Sequence, residues 1–209
     1  MRRLLAQLIM RLAPGVADDI GRRQAVLARR REARRQAARY RQLIDAASTD
    51  HLTMLANRRA FDECLQQHLE AGPTAGERAA LILIALDHFK QLNDLCGHPI
   101  GDQALQAVAR VLSSQTRARA DRVFRIGGEE FAVVTSHCLT RDQLHRLARR
   151  LITAIARERV TTGTLTVPLT ASAGATFFDA DDTETSTVLA RADAQLYAAK
   201  RDGRNRACA

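Results

Sequence analysis

Leu81 to Leu86 is six apolar residues without a break, the length of one strand and, lacking any polar position, a strand covered on both faces. Two shorter stretches, Val123 to Ile126, apolar except for Arg125, and the apolar Phe131 to Val134, flank Gly127-Gly128 and the glutamates after it. That pattern predicts a tight hairpin in which the glycines supply φ > 0. Helical spacing and capping residues predict helices over Asn57–Glu70, Asp102–Ser113, Arg141–Arg157 and Thr187–Lys200, with a further helix opening at Asp87 and a loop at Ala71-Gly72-Pro73. Leu165 to Phe178 reads as one strand or a pair. Strands and helices in this order, with a hairpin between helices, give an α+β domain: an antiparallel-containing central sheet covered by helices.

The first 47 residues have a different character. They hold 12 arginines against 4 acidic residues, whereas residues 48–209 carry 20 Lys+Arg against 19 Asp+Glu, so nearly all of the net charge of +9 lies in this arm. Pro14-Gly15 separates a short amphipathic stretch, residues 2–12, from a helix-favouring Arg/Ala/Gln-rich segment. There Val26, Ala33, Tyr40 and Ala47 at one heptad position, with Ala37 and Ile44 at the other, form a seam that Arg30 interrupts. The expectation is a basic helical arm (1–47), a short coiled coil, followed by one domain (48–209). The four cysteines, Cys64, Cys96, Cys138 and Cys208, lack metal-ligand spacing and suit a reducing compartment. No apolar run reaches the roughly 18 residues of a membrane span, and Arg11 interrupts the leader-like opening. A cytoplasmic protein is expected.

Charge and glycine placement suggest chemistry at four places. Asp87, Lys90, Asn93 and Asp94 follow the end of the apolar strand, a common ligand position in sheets. Gly101-Asp102 opens a helix, where free N–H groups favour an anion. Gly127-Gly128-Glu129-Glu130 combines close approach with two carboxylates, unfavourable neighbours unless a cation answers them. Lys200 and Arg204, four apart, would share one helical face and suit a polyphosphate. Any one of these has a structural explanation: a solvated acidic turn, a chance basic pair. Together they describe nucleotide phosphoryl transfer.

The segments Asp-His-Leu-Thr-Met-Leu-Ala-Asn-Arg-Arg-Ala-Phe (50–61), Asp-His-Phe-Lys-Gln-Leu-Asn-Asp (87–94), Gly-His-Pro-Ile-Gly-Asp (97–102), Arg-Ile-Gly-Gly-Glu-Glu-Phe (125–131) and Ala-Lys-Arg-Asp-Gly-Arg-Asn (199–205) resemble, in order, the signatures of the GGDEF diguanylate cyclases. The resemblance covers about residues 48–206. It implies a fold like that of nucleotidyl cyclase and polymerase palm domains, and a dimer in which two GTP, one per subunit, condense to cyclic di-GMP and pyrophosphate with Mg²⁺ or Mn²⁺. Carried onto this chain, it assigns Asn93 and Asp102 to guanine and Lys90, Lys200 and Arg204 to the phosphates. It assigns Gly127 and Gly128 to the nucleotide's flank, Glu129 to the metal, and Glu130 to catalysis or the metal.

The pattern departs from the family at two positions. The usual Asp-x-Asp-x-Phe-Lys has Ala85 where its first Asp, a metal ligand, belongs; Asp87 lies on the same strand face and is the candidate substitute. In the inhibitory Arg-x-x-Asp, Asp121 is present but the arginine position is Ala118, flanked by Arg117 and Arg119. Two readings follow: an active cyclase, or a weakened or inactive relative that binds GTP or dimerises as a regulatory module. Nucleic-acid binding through the arm ranks last, because its arginines have no interleaved aromatics beyond Tyr40.

Overall fold

The computed structural model describes residues 25–33, 36, 48–72, 78–117, 120–138 and 140–209. The chain divides into two units, Met1–Ala47 and Ser48–Ala209. In the first, residues 25–33 are helical and exposed, Val26 and Leu27 among them. The seam positions Ala37, Tyr40, Ile44 and Ala47, and the stretch 2–12, lie outside the described residues.

The second unit runs α1 (Arg58–Ala71), β1 (Arg78–Leu86), α2 (Phe89–Cys96), α3 (His98–Gln115), β2 (Asp121–Arg125), β3 (Glu130–Cys138), α4 (Arg141–Ile155), β4 (Arg159–Thr162), β5 (Leu165–Pro168), β6 (Ala171–Phe177), α5 (Thr185–Arg201) and β7 (Ala207–Cys208). Five strands form one sheet in the order β2-β3-β1-β6-β7, and β4-β5 form a separate two-stranded ribbon. β1 is central and antiparallel to both β3 and β6, and β7 is parallel to β6. The expected α+β architecture is present.

The apolar run of β1 is explained by burial on both faces. Ala80, Ile82, Ile84 and Leu86 join a core with α2, α3 and α4, whereas Leu81, Leu83 and Ala85 join a second core with α1 and α5. In the second, Phe61 and Phe124 meet edge-on with ring centroids 5.4 Å apart. Each buried phenylalanine contributes about 1.5–3 kcal/mol, and the ring pair about 0.5–1.5 kcal/mol more. α5 lies directly on β6 because Gly174 has no side chain: a Cβ there would overlap the backbone of Leu196 and Ala192. α1 is capped by Asn57, whose side chain accepts from the Ala60 amide at 3.2 Å. α4 opens with a Thr140/Gln143 capping box.

Three sequence expectations need correction. α3 begins at His98, not Asp102, because Gly97 (φ 82°) ends α2 and Pro99 fits the first turn of a helix. Gly101 and Asp102 are therefore inside the helix, and the Gly101 amide is already directed to the Gly97 carbonyl at 3.3 Å. The Gly127-Gly128 connection is a four-residue loop, Ile126 to Glu129, and neither glycine is among the residues with positive φ. α5 stops at Arg201, so Arg204 does not share a helical face with Lys200. Leu165 to Phe178 is a pair of strands, β5 and β6, whereas β4 and β7 carry too few apolar residues to be seen in advance.

Candidate active site

Register places three residues in one row on the α1/α5 face at the C-terminal end of β1. Ala85 pairs with Glu130 of β3 on one side and Ser172 of β6 on the other. The cross-strand neighbour of Ala85 is thus Glu130, while Glu129 lies in the loop before β3. Glu129 instead offers its backbone carbonyl to the Leu86 amide at 3.1 Å. Ala85 is fully buried.

The loop that carries the glutamates is held from both ends. The Ile126 and Gly127 amides converge on the Glu130 carbonyl at 2.9 and 3.3 Å. A Cβ on Gly127 would lie 2.7 Å from Glu130 Oε2, whereas one on Gly128 would meet nothing within 4 Å. The glycines therefore serve by lacking a side chain, and Gly128 leaves open space in which another molecule can approach. Arg125 braces the loop: its Nη2 donates to the Gly128 carbonyl at 2.8 Å and its Nη1 to both carboxylate oxygens of Asp50 at 3.1 and 3.2 Å. Asp50 also accepts from the Thr53 amide (2.9 Å) and hydroxyl (2.6 Å). Burial pushes the Asp50 carboxyl up, but the Thr53 bonds and Arg125 outweigh it and hold the group below its ordinary value. Its 75-residue separation from Arg125 keeps the pair out of any local sequence pattern.

On the far side of β1, α2 and α3 meet at close range. A Cβ on Gly101 would overlap Asn93 Oδ1, so the glycine exists to admit that side chain. Asn93 Oδ1 is buried and accepts no hydrogen bond, an expensive state for an amide oxygen. Asp102 is the next residue along α3 and is exposed, as is Lys90 on α2.

Asp87 is held at both oxygens. Oδ1 accepts from the Ser172 hydroxyl at 2.7 Å and Oδ2 from the Asn205 amide at 3.0 Å, while its own amide donates to the Thr170 carbonyl at 2.9 Å. Lys200 is half-buried in the last turn of α5 and Arg204 is exposed on the turn beyond it. At the other end of β2, Asp121 is buried; its Oδ2 accepts from the Arg117 amide at 2.8 Å. Ala118 and Arg119 lie outside the described residues.

Among the described residues no three His, Cys, Asp or Glu side chains are grouped to hold a metal. Ala85 removes the carboxylate that would complete the row, and Asp87 is already engaged. The remaining donors, Glu129 and Glu130, do fit magnesium arriving on a nucleotide, because that ion is usually held by one or two carboxylates together with substrate phosphates and water.

Residues 47–206 match the family model for the diguanylate cyclase GGDEF domain. The chain is 37% identical over 83% of its length to the cyclic di-GMP phosphodiesterase NbdA of Pseudomonas aeruginosa, covering 21% of that protein. It is 36% identical over 79% of its length to the probable diguanylate cyclase DgcE of Escherichia coli, covering 15% of it. The crystal structure of the coiled coil and GGDEF domain of DgcB from Caulobacter crescentus, in complex with cyclic di-GMP, superposes with a TM-score of 0.76 at 28% identity, covering 89% of this chain and 97% of that one. The chain thus spans only a small part of either curated relative, and the shared part is this domain. With the sheet order, the braced Gly-Gly-Glu-Glu loop and the match over residues 47–206 in agreement, the chain belongs to the GGDEF diguanylate cyclase domain family.

Proposed function

We propose that the domain, residues 48–209, condenses two GTP into cyclic di-GMP and pyrophosphate in a homodimer whose subunits each hold one nucleotide. The observation that carries this reading is the buried, unpartnered Asn93 Oδ1, fitted over Gly101 beside Asp102. An acceptor left bare inside a protein is stabilised by a donor from a ligand, and the N–H edge of guanine offers several. Asn93 and Asp102 take the base, and Lys90, Lys200 and Arg204 take the phosphates. Gly128 gives the nucleotide room against the loop backbone.

In each half-reaction the 3′-oxygen of one GTP bonds to the α-phosphorus of the other, and the bond to pyrophosphate breaks. Glu130 accepts the 3′-hydroxyl proton. Magnesium or manganese, held by Glu129 and Glu130 with the phosphates, would neutralise charge on the triphosphate. The residues of this chain otherwise contribute by positioning, which is the larger part of phosphoryl-transfer catalysis.

A second reading rests on Ala85. With that carboxylate absent, the domain binds GTP but turns it over slowly or not at all, and acts as a dimerising regulatory module. The basic arm, 1–47, would bring two domains together in either case; the match to a coiled-coil-containing relative over 89% of this chain supports that role. Among the described residues no helix is long and apolar enough to cross a membrane. The deciding experiment is incubation with GTP and Mg²⁺ or Mn²⁺ followed by mass-resolved chromatography. Cyclic di-GMP that disappears in Glu129→Ala supports the cyclase. Binding of GTP without product supports the regulatory module.

A further inference from the structure

The turn after α5 is strained. Gly203 (φ 111°), Arg204 (φ 61°) and Asn205 (φ 48°) are three consecutive residues with positive φ, which glycine and asparagine tolerate but the Arg204 side chain disfavours. Such a turn persists only if its surroundings hold it. The Arg204 amide is returned to the Ala199 carbonyl at 3.0 Å, and the Arg206 carbonyl accepts from the Ala173 amide at 2.8 Å, where β7 begins alongside β6. Between these two anchors Arg206 Nε donates locally to the Arg204 carbonyl at 3.1 Å, and the bond that ties the turn's backbone to the sheet is that from the Asn205 amide to Asp87 Oδ2, across 118 residues of sequence. Asp87 is itself fixed to the sheet by the fully buried Ser172 hydroxyl on Oδ1.

We propose that Asp87 is a positioning residue for the phosphate site: its carboxylate pins the left-handed turn at Asn205 and so aims the Arg204 guanidinium at the GTP triphosphate, and it does not replace the metal carboxylate missing at Ala85. The inference rests on the GTP reading above. Turning Asp87 toward a cation would take its oxygens from the Asn205 amide and from the fully buried Ser172 hydroxyl, and a buried hydroxyl deprived of its acceptor is costly. The two roles therefore compete, and the geometry favours the turn.

The roles separate on substitution. Asp87→Asn keeps one acceptor oxygen for the Asn205 amide and presents an NH₂ to the Ser172 hydroxyl, which can accept it; the charge a metal ligand needs is gone, but the turn survives. Asp87→Ala removes both bonds. Calorimetric titration of the full chain with a non-hydrolysable GTP analogue, with and without Mg²⁺, reads the difference. Expected is an affinity for Asp87→Asn within about 3-fold of wild type, and a loss of about 10-fold for Asp87→Ala, equivalent to about 1.4 kcal/mol. Arg204→Ala should lose a similar amount, and the double variant Asp87→Ala/Arg204→Ala no more than either single one, because both remove the same contact. The Mg²⁺ dependence should be the same in wild type and Asp87→Asn. If Asp87→Asn loses as much as Asp87→Ala and needs more Mg²⁺, Asp87 is a metal ligand and the inference fails. Multiplying losses in the double variant also overturn it. Should Asp87→Ala not fold, Asp87→Asn alone decides. Failure of the wild-type protein to bind the analogue would remove the GTP reading and this inference with it.

Discussion

Replacing Ala85 with aspartate tests the metal site most directly. The new carboxylate would stand directly opposite Glu130 across the sheet, with Cβ atoms about 5 Å apart. Two unit charges at that distance repel by about 3 kcal/mol at an effective dielectric of about 20, and by about 0.8 kcal/mol in water. Glu130 is exposed, so screening places the repulsion near the lower figure, about 1 kcal/mol, and the fully buried position of Ala85 adds a desolvation cost for the new carboxylate. Without metal, Ala85→Asp should therefore melt at least about 2–4 °C below the wild type. A dication between the two carboxylates reverses the sign, and at ten times its dissociation constant it returns about 1.4 kcal/mol. The expected signature is a melting temperature that rises with Mg²⁺ in the variant and moves less in the wild type. Cyclic di-GMP formation should increase alongside it, and a misplaced or missing catalytic charge often accounts for about 10²–10³ in rate. Differential scanning fluorimetry across a Mg²⁺ series, paired with product chromatography, measures both. A folded Ala85→Asp protein with neither a Mg²⁺-dependent melting temperature nor faster turnover would refute the argument that Ala85 limits metal binding.

Three further outcomes follow from the structure. Gly174→Ala should destabilise the domain by about 1–3 kcal/mol or more, read by urea denaturation, because the added methyl has only the α5 backbone to push against; an unchanged midpoint would contradict the packing. Asp121→Ala should cost about 1–3 kcal/mol by stranding the Arg117 amide, while cyclic di-GMP, titrated calorimetrically, should bind weakly before and after the change, since Asp121 is buried with its Oδ2 engaged by Arg117 and Ala118 offers no guanidinium. Asp182, held down by its bonds to Arg191 at 2.6 and 2.7 Å, and Asp50, held down against burial by Thr53 and Arg125, both titrate below the ordinary 3.8. Depressed carboxyls stabilise the fold above their unfolded value and lose that contribution as pH falls through the folded one. Acid unfolding followed by circular dichroism should therefore show loss below about pH 4, and Asp50→Asn should flatten the slope there.

The sequence by itself determined the parts that depend on short range. The β1 strand was legible because six apolar residues in a row suit an element covered on both faces, and α1 and α4 because their apolar residues recur at helical spacing. The family was legible from five short motifs, each a local pattern of residues. What only the tertiary structure decided was which of these residues meet. Strand register put Glu130, not Glu129, beside Ala85, and register is a property of two strands together. The end of α5 at Arg201 and the return of its turn to Asp87 moved Arg204 off the helix; a four-residue spacing cannot reveal a left-handed turn held from 118 residues away. Asp50 and Arg125 likewise join across 75 residues. Periodicity and capping act within a few residues, whereas the pairing of carboxylates with their donors is settled by the sheet that brings them into reach.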